Sequence, residues 1–184
     1  MAYVGQIIVN PLSREKMVIQ QTAASTNGRL LAFELILPPG GHVPASHVHP
    51  VIEERFQVLG GRMRFRRGLR HVTATSGQTV VVPPGTVHRF ANGGDEEARV
   101  LVEARPALRM ETLLEVTAEL AREGRTLANG TPRPLEMALF LKEFEQEVRV
   151  PWVPAPVVGM FTASLTRMAE RRGISLPVRR RIAA

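Results

Sequence analysis

Apolar and polar residues alternate through the first two-thirds of the chain, and this period of two predicts short β-strands. The segment LLAFELILPPGG (30–41) is an apolar run that ends at Pro-Pro-Gly-Gly. In ERFQVLGGRMRFRRG (54–68), apolar residues alternate with polar ones on both sides of a Gly-Gly pair. We interpret residues 54–68 as a half-buried antiparallel hairpin with a glycine turn or bulge between its arms.

Further short strands follow at regular spacing, separated by glycine and proline. The segment HVTATSGQTVVVPPGTVHRF (71–90) predicts two strands around a Ser-Gly turn, and EARVLVEAR (97–105) predicts another. This arrangement is typical of an all-β sandwich or barrel. We therefore assign residues 30–105 to a β-barrel domain and residues 1–29 to an N-terminal strand or arm.

After Pro106 the apolar residues recur with the period of an α-helix. Amphipathic helices are predicted over 110–124, 135–148 and 157–173, within a C-terminal α-helical extension of residues 106–184. The apolar stripe of the third helix comprises Val157, Met160, Phe161, Ser164, Leu165 and Met168. We expect these helices to pack against the barrel or against another subunit.

Composition and charge narrow the classes of protein that fit. The chain has 184 residues, of which 44% are hydrophobic, and this is enough for one sizeable core. It has no cysteine, which excludes disulfides, thiolate metal sites and a cysteine nucleophile. The net charge is +7, but residues 167–184 hold six arginines and one glutamate. Because the basic excess lies mainly in this tail, we expect no nucleic-acid partner; contact of the tail with an anionic membrane surface is a less favoured alternative.

Three of the five histidines lie in two short segments that could form one metal site. His47 and His49 are two residues apart, so on a strand their imidazoles point to the same side. A second segment, GQTVVVPPGTVHRFAN (77–92), contains a Pro84-Gly85 pair that favours a tight turn. After this turn the chain reverses and delivers His88 on an opposing strand. Since histidine is the commonest ligand of first-row transition metals, the arrangement suits a metal site at a barrel mouth.

The spacing within these two segments resembles the two conserved motifs of the cupin family. The first segment has Gly41, His47 and His49, then a glutamate and a closing glycine. The second has Gly77, Pro83, Gly85, His88 and Asn92 at every expected position. The resemblance covers residues 30–105 and implies an antiparallel jelly-roll β-barrel. It also implies one divalent metal ion held by three histidines and one glutamate, in a pocket inside the barrel.

Two adjacent glutamates fit the first motif. Glu53 fits it with Gly60 as the closing glycine, and Glu54 fits it with Gly61. Strand phase favours Glu54, because it shares the side of the apolar residue Phe56, whereas Glu53 has the opposite phase. The family consensus V-L-x-G also favours Gly61. We therefore expect His47, His49, Glu54 and His88 to be the ligands, with Glu53 facing solvent; a barrel that keeps the spacing without binding metal is the alternative.

The predicted ligands suit iron, manganese, nickel, copper or zinc, and the sequence does not choose among these metals. Four protein ligands leave one or two coordination positions open, as catalysis requires. The residues expected to line an apolar pocket, from their inward phase, are Phe33, Leu35, Phe56, Met63, Phe65, Val82 and Phe90. Plain barrel core is the alternative for each of them. Chemistry would then depend on the metal, with Glu54 as a ligand and the candidate catalytic proton shuttle.

Three functions fit this predicted site. The first is a metal-dependent oxidoreductase of the dioxygenase type that acts on a small apolar, aromatic or enol compound. The second is a redox-neutral isomerase or lyase in which the metal stabilises an enolate. The third is a non-catalytic module that binds a small molecule.

The sequence also carries expectations for the compartment and the oligomeric state. The N-terminal segment has no signal pattern, and no apolar run approaches the roughly 20 residues of a membrane span, so we expect a cytoplasmic protein. Exposed strand edges favour pairing with a second copy, which would cover them. The three apolar helices also exceed what one face of a small barrel needs as cover. We therefore expect a homodimer.

Overall fold

A computed structural model describes residues 2–151 and 155–177 of the chain. The strands of this part are β1 (Ile7–Val9), β2 (Lys16–Gln21), β3 (Leu31–Leu37), β4 (Glu53–Gly60), β5 (Arg62–Arg67), β6 (Arg70–Thr75), β7 (Thr79–Val82), β8 (His88–Asn92) and β9 (Ala98–Arg105). The helices are α1 (Met110–Arg122), α2 (Pro134–Glu143) and α3 (Ala155–Arg171). The tail arginines at 179–181 and the side chain of Val157 lie outside the described part.

Two antiparallel sheets face each other and form a jelly-roll barrel. The larger sheet has the strand order β1-β2-β3-β9-β4-β7, and the smaller has the order β6-β5-β8. Aromatic rings join the two sheets: the ring centroid of Phe56, on β4, lies 5.2 Å from those of Phe65, on β5, and Phe90, on β8. Such separations are typical of favourable aromatic packing. The predicted class, an antiparallel jelly-roll barrel followed by helices, is confirmed.

The predicted hairpin over 54–68 is wrong, because β4 and β5 lie in different sheets. The chain crosses between the sheets at Gly61, whose φ of +74° is left-handed. A Cβ at this position would lie 2.6 Å from the Glu97 carbonyl oxygen and 2.8 Å from the Ala98 Cα. Only glycine satisfies both conditions without strain. Alternation and a glycine pair are common to hairpins and to sheet crossings, so the pattern did not distinguish them.

The N-terminal segment contributes two strands to the larger sheet. β2 pairs with β3, with Met17 opposite Leu35, and β1 pairs with β2 at the edge of the sheet. Met17 and Leu35 are both buried in the apolar core. The segment is therefore an integral wall of the barrel.

The first two helices cover the barrel, and the third packs on the second. The predicted face of α1 is inside, with Leu113, Val116 and Leu120 in the same apolar cluster as the barrel side chains. α2 adds Phe140 to this cluster, and Phe144 follows directly after its last residue. Within the described residues, we find no helix that combines the length and the apolar character needed to cross a membrane.

The predicted apolar stripe of α3 does not pack against the barrel of the same chain. Met160 and Phe161 are 65% and 62% exposed, and Met168 is also exposed. Among residues 159–171 of this helix, the buried side chains are instead the small ones of Thr166 and Ala169. Small side chains permit a close approach to α2, and they leave the large apolar ones on the outer face. Helical periodicity identified an apolar stripe, but it carried no information on which side meets α2.

Candidate metal centre

Four side chains from three parts of the chain converge at one end of the barrel interior. Glu54 lies near the start of β4, and His88 begins β8. His47 and His49 lie on the segment before β4, which pairs with β8 through a bridge between His47 and His88. One nitrogen or oxygen atom of each of the four side chains lies within 4.8 Å of those of the other three. Glu54 Oε2 is 2.8 Å from His88 Nε2 and 3.3 Å from His49 Nε2.

Each histidine uses its Nδ1 atom for a backbone contact. The Nδ1–carbonyl oxygen distances are 3.0 Å from His47 to Ala45, 2.5 Å from His49 to Glu147 and 3.0 Å from His88 to Thr86. A carbonyl oxygen only accepts hydrogen bonds, so these contacts assign the proton to Nδ1 and leave a lone pair on Nε2. This is the tautomer and orientation that metal-binding histidines adopt in proteins.

Two buried atoms of the cluster have no hydrogen-bond donor among the described residues. Glu54 Oε2 and His88 Nε2 have no hydrogen-bond partner among the described residues, although they lie 2.8 Å apart. Both present lone pairs, and two buried acceptors this close repel each other unless a cation lies between them. Three imidazoles and one carboxylate suit a divalent transition metal. The four residues therefore fit a bound metal ion.

The electrostatics of the cluster favour the metal-binding form of Glu54 and His47, whereas His49 must release a proton when metal binds. Burial opposes ionisation of Glu54, but His49 and His88 outweigh it and hold the pKa of this carboxyl well below its ordinary value. Burial, with His88 and His49 nearby, lowers the pKa of His47 to about 3, so its imidazole is neutral. Burial also disfavours the charged form of His49, but Glu54 outweighs this and raises the pKa of His49. Before metal binds, the cluster thus holds a carboxylate beside a readily protonated imidazole.

Strand phase places the two candidate glutamates on opposite sides of β4. Glu54 is 4% exposed and faces the histidines, in phase with the buried Phe56. Glu53 has the other phase and pairs in register with Arg105 on β9. The turn before His88 has the predicted form, since Gly85 has a φ of +73°. The Gly85 amide also donates to the His49 carbonyl oxygen at 2.8 Å, which ties the two histidine segments together.

A cavity of about 300 Å³ adjoins the cluster and lies mainly among apolar side chains. Four of the seven predicted wall residues line it, namely Phe33, Leu35, Phe56 and Phe90. The other three, Met63, Phe65 and Val82, are buried core residues and do not line this cavity. Inward phase predicts that a side chain is covered, but it does not say whether the cover is a cavity or another side chain.

The identity of the barrel follows from its sequence. Residues 33–102 match the family model described as "Cupin domain". This segment is a cupin domain. Among curated proteins, the chain is similar to "Polyketide synthase CurC" of Streptomyces cyaneus, with 32% identity over 84 residues. That match covers 46% of this chain and 54% of the relative, so the chain spans about half the length of the curated relative.

Solved structures are similar to this barrel at low sequence identity. A predicted oxalate decarboxylase from Thermotoga maritima aligns with a TM-score of 0.50 and 18% identity, over 58% of this chain and 98% of that one. An RmlC-like cupin from Shewanella frigidimarina aligns with a TM-score of 0.49 and 17% identity, over 60% of this chain and 94% of that one. At such identities the similarity concerns the fold alone.

Segments outside the cupin domain complete the site, and the sequence did not assign them to it. Helices α1 and α2 contribute Met110, Leu113, Leu114, Met137 and Phe140 to the cavity wall. The segment after α2 reaches the ligands themselves, because the Glu147 carbonyl accepts from His49 and Arg149 forms a two-way backbone bridge with Val48. The Glu147 side chain in turn accepts from the Arg109 amide at 3.1 Å. Amphipathic faces indicated that the helices pack somewhere, but the surface that they cover depends on the folded chain.

Proposed function

We propose that this chain is a metal-dependent enzyme, an oxidoreductase of the dioxygenase type, that acts on a small apolar compound bearing oxygen. The observation that carries this proposal is the convergence of His47, His49, Glu54 and His88 beside an apolar cavity. All of them except His88 line the cavity wall. Iron, manganese, nickel, copper or zinc held by these residues would supply Lewis-acid chemistry, and the first four also redox chemistry.

The cavity supports an apolar substrate with a flat or aromatic skeleton. Phe33, Phe56 and Phe90 present aromatic walls beside the cluster, and the helices cover the cavity from outside the barrel. A cover of this kind limits water around a bound substrate. The similarity to a protein named polyketide synthase supports the same class, since polyketides are carbon skeletons that carry carbonyl or enol oxygens.

The electrostatics support Glu54 as a permanent ligand more than as a proton shuttle. Its depressed pKa keeps the carboxylate ionised, and a base of low pKa accepts a proton from a carbon or hydroxyl acid poorly at neutral pH. Proton transfer would therefore need another group in the cavity.

A redox-neutral isomerase or lyase is the second candidate. What favours it is a second carboxyl group on the cavity wall, that of Glu15, away from the ligand cluster. A reaction that moves a proton along an enol needs such a group. The similarity to a polyketide synthase supports this candidate equally.

Metal reconstitution tests the proposal. The protein is loaded in turn with each of the five metals, and bound metal is measured by elemental analysis. Oxygen uptake with a hydroxylated anthraquinone or a β-diketone is then followed. We expect metal-dependent uptake that His88→Ala abolishes and Arg89→Ala, an exposed neighbour on the same strand, retains. Conversion without oxygen uptake would favour the second candidate, binding without conversion would favour a non-catalytic module, and no bound metal would refute both enzyme proposals.

We also propose that two copies associate. Ile7 and Val9 are exposed on the edge strand β1, and Met160 and Phe161 are exposed on α3. Unpaired strand edges and large exposed apolar side chains favour association. A homodimer would cover one or both of these surfaces.

A further inference from the structure

We propose that Glu15 and Asn10 form a second, polar binding point in the cavity, which holds a hydroxyl or carbonyl group of the ligand at the end remote from the metal cluster. This inference rests on the proposed function and names its ligand class. The ligand would be an elongated apolar molecule with one oxygen group at the metal and another at Glu15.

Glu15 and Glu54 line the same cavity from strands that are far apart in the sheet. Glu15 directly precedes β2, and Glu54 lies on β4. In the sheet order, β3 and β9 separate these two strands. Three strand spacings correspond to about 14 Å along the sheet. A single ligand that contacts both carboxyl groups therefore crosses the cavity between β2 and β4.

Glu15 is a buried carboxyl group whose nearby hydrogen-bonding side chains, those of Ser13 and Asn10, are both neutral. Its exposure is only 9%, and among the described residues no arginine or lysine forms an ion pair with it. Asn10 Nδ2 donates to Glu15 Oε1 across 3.4 Å, which is long for a hydrogen bond. A buried polar group that is poorly satisfied in this way gains from a ligand that completes its hydrogen bonds.

The protonation state of Glu15 suits a neutral ligand group. Burial raises the pKa of this carboxyl, against the smaller opposing influences of Ser13, Asn10 and His42. A carboxyl group with a raised pKa spends more time protonated, and it then both donates and accepts a hydrogen bond. It can therefore bind either a carbonyl oxygen or a hydroxyl group.

The loop that carries the pair is held in a defined conformation. The Asn10 amide donates to the Glu15 carbonyl oxygen at 3.0 Å, which closes the loop between β1 and β2. Asn10 Oδ1 accepts from the Leu12 amide at 3.1 Å, and this contact turns the Nδ2 group towards Glu15. Arg14 Nη2 donates to the Pro39 carbonyl oxygen and fixes the loop to the end of β3. A binding group on such a loop loses little freedom when a ligand arrives.

The test compares two hydroxylated anthraquinones on the zinc-loaded protein by isothermal titration calorimetry. Both carry a chelating hydroxyl–carbonyl pair on one ring, and only one carries a further hydroxyl on the far ring. We expect the protein to bind the second probe about tenfold tighter, as one well-placed hydrogen bond to a buried group allows. Glu15→Leu should abolish this preference without loss of zinc, and Glu15→Gln should keep most of it. The control Lys16→Leu alters the exposed neighbour and should keep the full preference.

A second measurement follows the unsubstituted protein and needs only the conservative variant Glu15→Gln, for assignment of one signal. In protein labelled with carbon-13 at glutamate carboxyls, the Glu15 signal is identified by its absence from Glu15→Gln. The probe with the far hydroxyl should shift that signal, and the probe without it should not. Equal affinity for both probes, a preference that survives in Glu15→Leu, or an unmoved Glu15 signal would each overturn the inference. If the protein failed to bind zinc but still bound the second probe more tightly in a manner that depends on Glu15, this result would refute the metal centre and support the polar binding point.

Discussion

Replacement of the two adjacent glutamates tests the metal centre most directly. In Glu54→Gln, an amide of nearly the same size replaces the carboxylate of the cluster. Glu54 Oε2 lies 2.8 Å from His88 Nε2 and 3.3 Å from His49 Nε2, so the substitution acts inside the ligand set. The matched change Glu53→Gln removes the same charge one residue away, on the opposite side of β4.

The two substitutions should differ greatly in their effect on zinc affinity. Loss of a residue that merely orients a metal ligand costs about 10- to 100-fold in affinity, so loss of a ligand itself should cost at least about 100-fold. This corresponds to about 2.7 kcal/mol of binding free energy. Glu53 is half-buried on the opposite side of β4, away from the ligands, and Glu53→Gln should change zinc affinity by less than about twofold.

Competition of each variant with a chromophoric chelator for zinc measures this difference, and thermal unfolding of the metal-free proteins shows whether each variant folds. The wild-type protein and both variants are compared at one pH and one ionic strength. If a folded Glu54→Gln variant kept its zinc affinity, or if Glu53→Gln lost as much affinity, the assignment of the ligand by strand phase would be refuted.

Three further predictions concern the sheet crossing, the support of His49 and the oligomeric state. Gly61→Ala should lower the free energy of unfolding in urea by about 3 kcal/mol, because it adds left-handed strain to a backbone clash. The control Gly60→Ala has open space around it and should lower this free energy by less than about 1 kcal/mol, and similar losses in both variants would contradict the sheet crossing. Glu147→Ala should weaken zinc binding about tenfold, because loss of its contact with the Arg109 amide loosens the carbonyl that orients His49. The control Glu145→Ala replaces an exposed side chain and should leave zinc affinity unchanged. Equal affinities in the two variants would show that the Glu147 side chain does not support His49. Light scattering after size exclusion should give twice the mass of one chain, and a monomer at all concentrations would refute the homodimer.

Much of the site could be predicted because its rules are local. The period of two on β4 placed Glu54 and Phe56 on one side and Glu53 on the other, and the folded strand keeps this arrangement. The Pro84-Gly85 pair predicted the turn, and Gly85 has the positive φ that such a turn requires. These features depend on bond geometry and on neighbours one or two residues away, which the amino-acid sequence by itself determines.

Other features were decided by the tertiary structure alone. Whether the glycine pair before β5 makes a hairpin or a crossing depends on which distant strands pair with β4, and these are β7 and β9. The cavity wall depends likewise on where α1 and α2 settle, and the second carboxyl, Glu15, enters it because β2 pairs with β3. Periodicity reports which residues are covered, whereas the partner that covers them is chosen by packing between residues far apart in the chain. For this reason the sequence predicted the metal ligands and a pocket beside them, and only the folded chain decided which residues line that pocket.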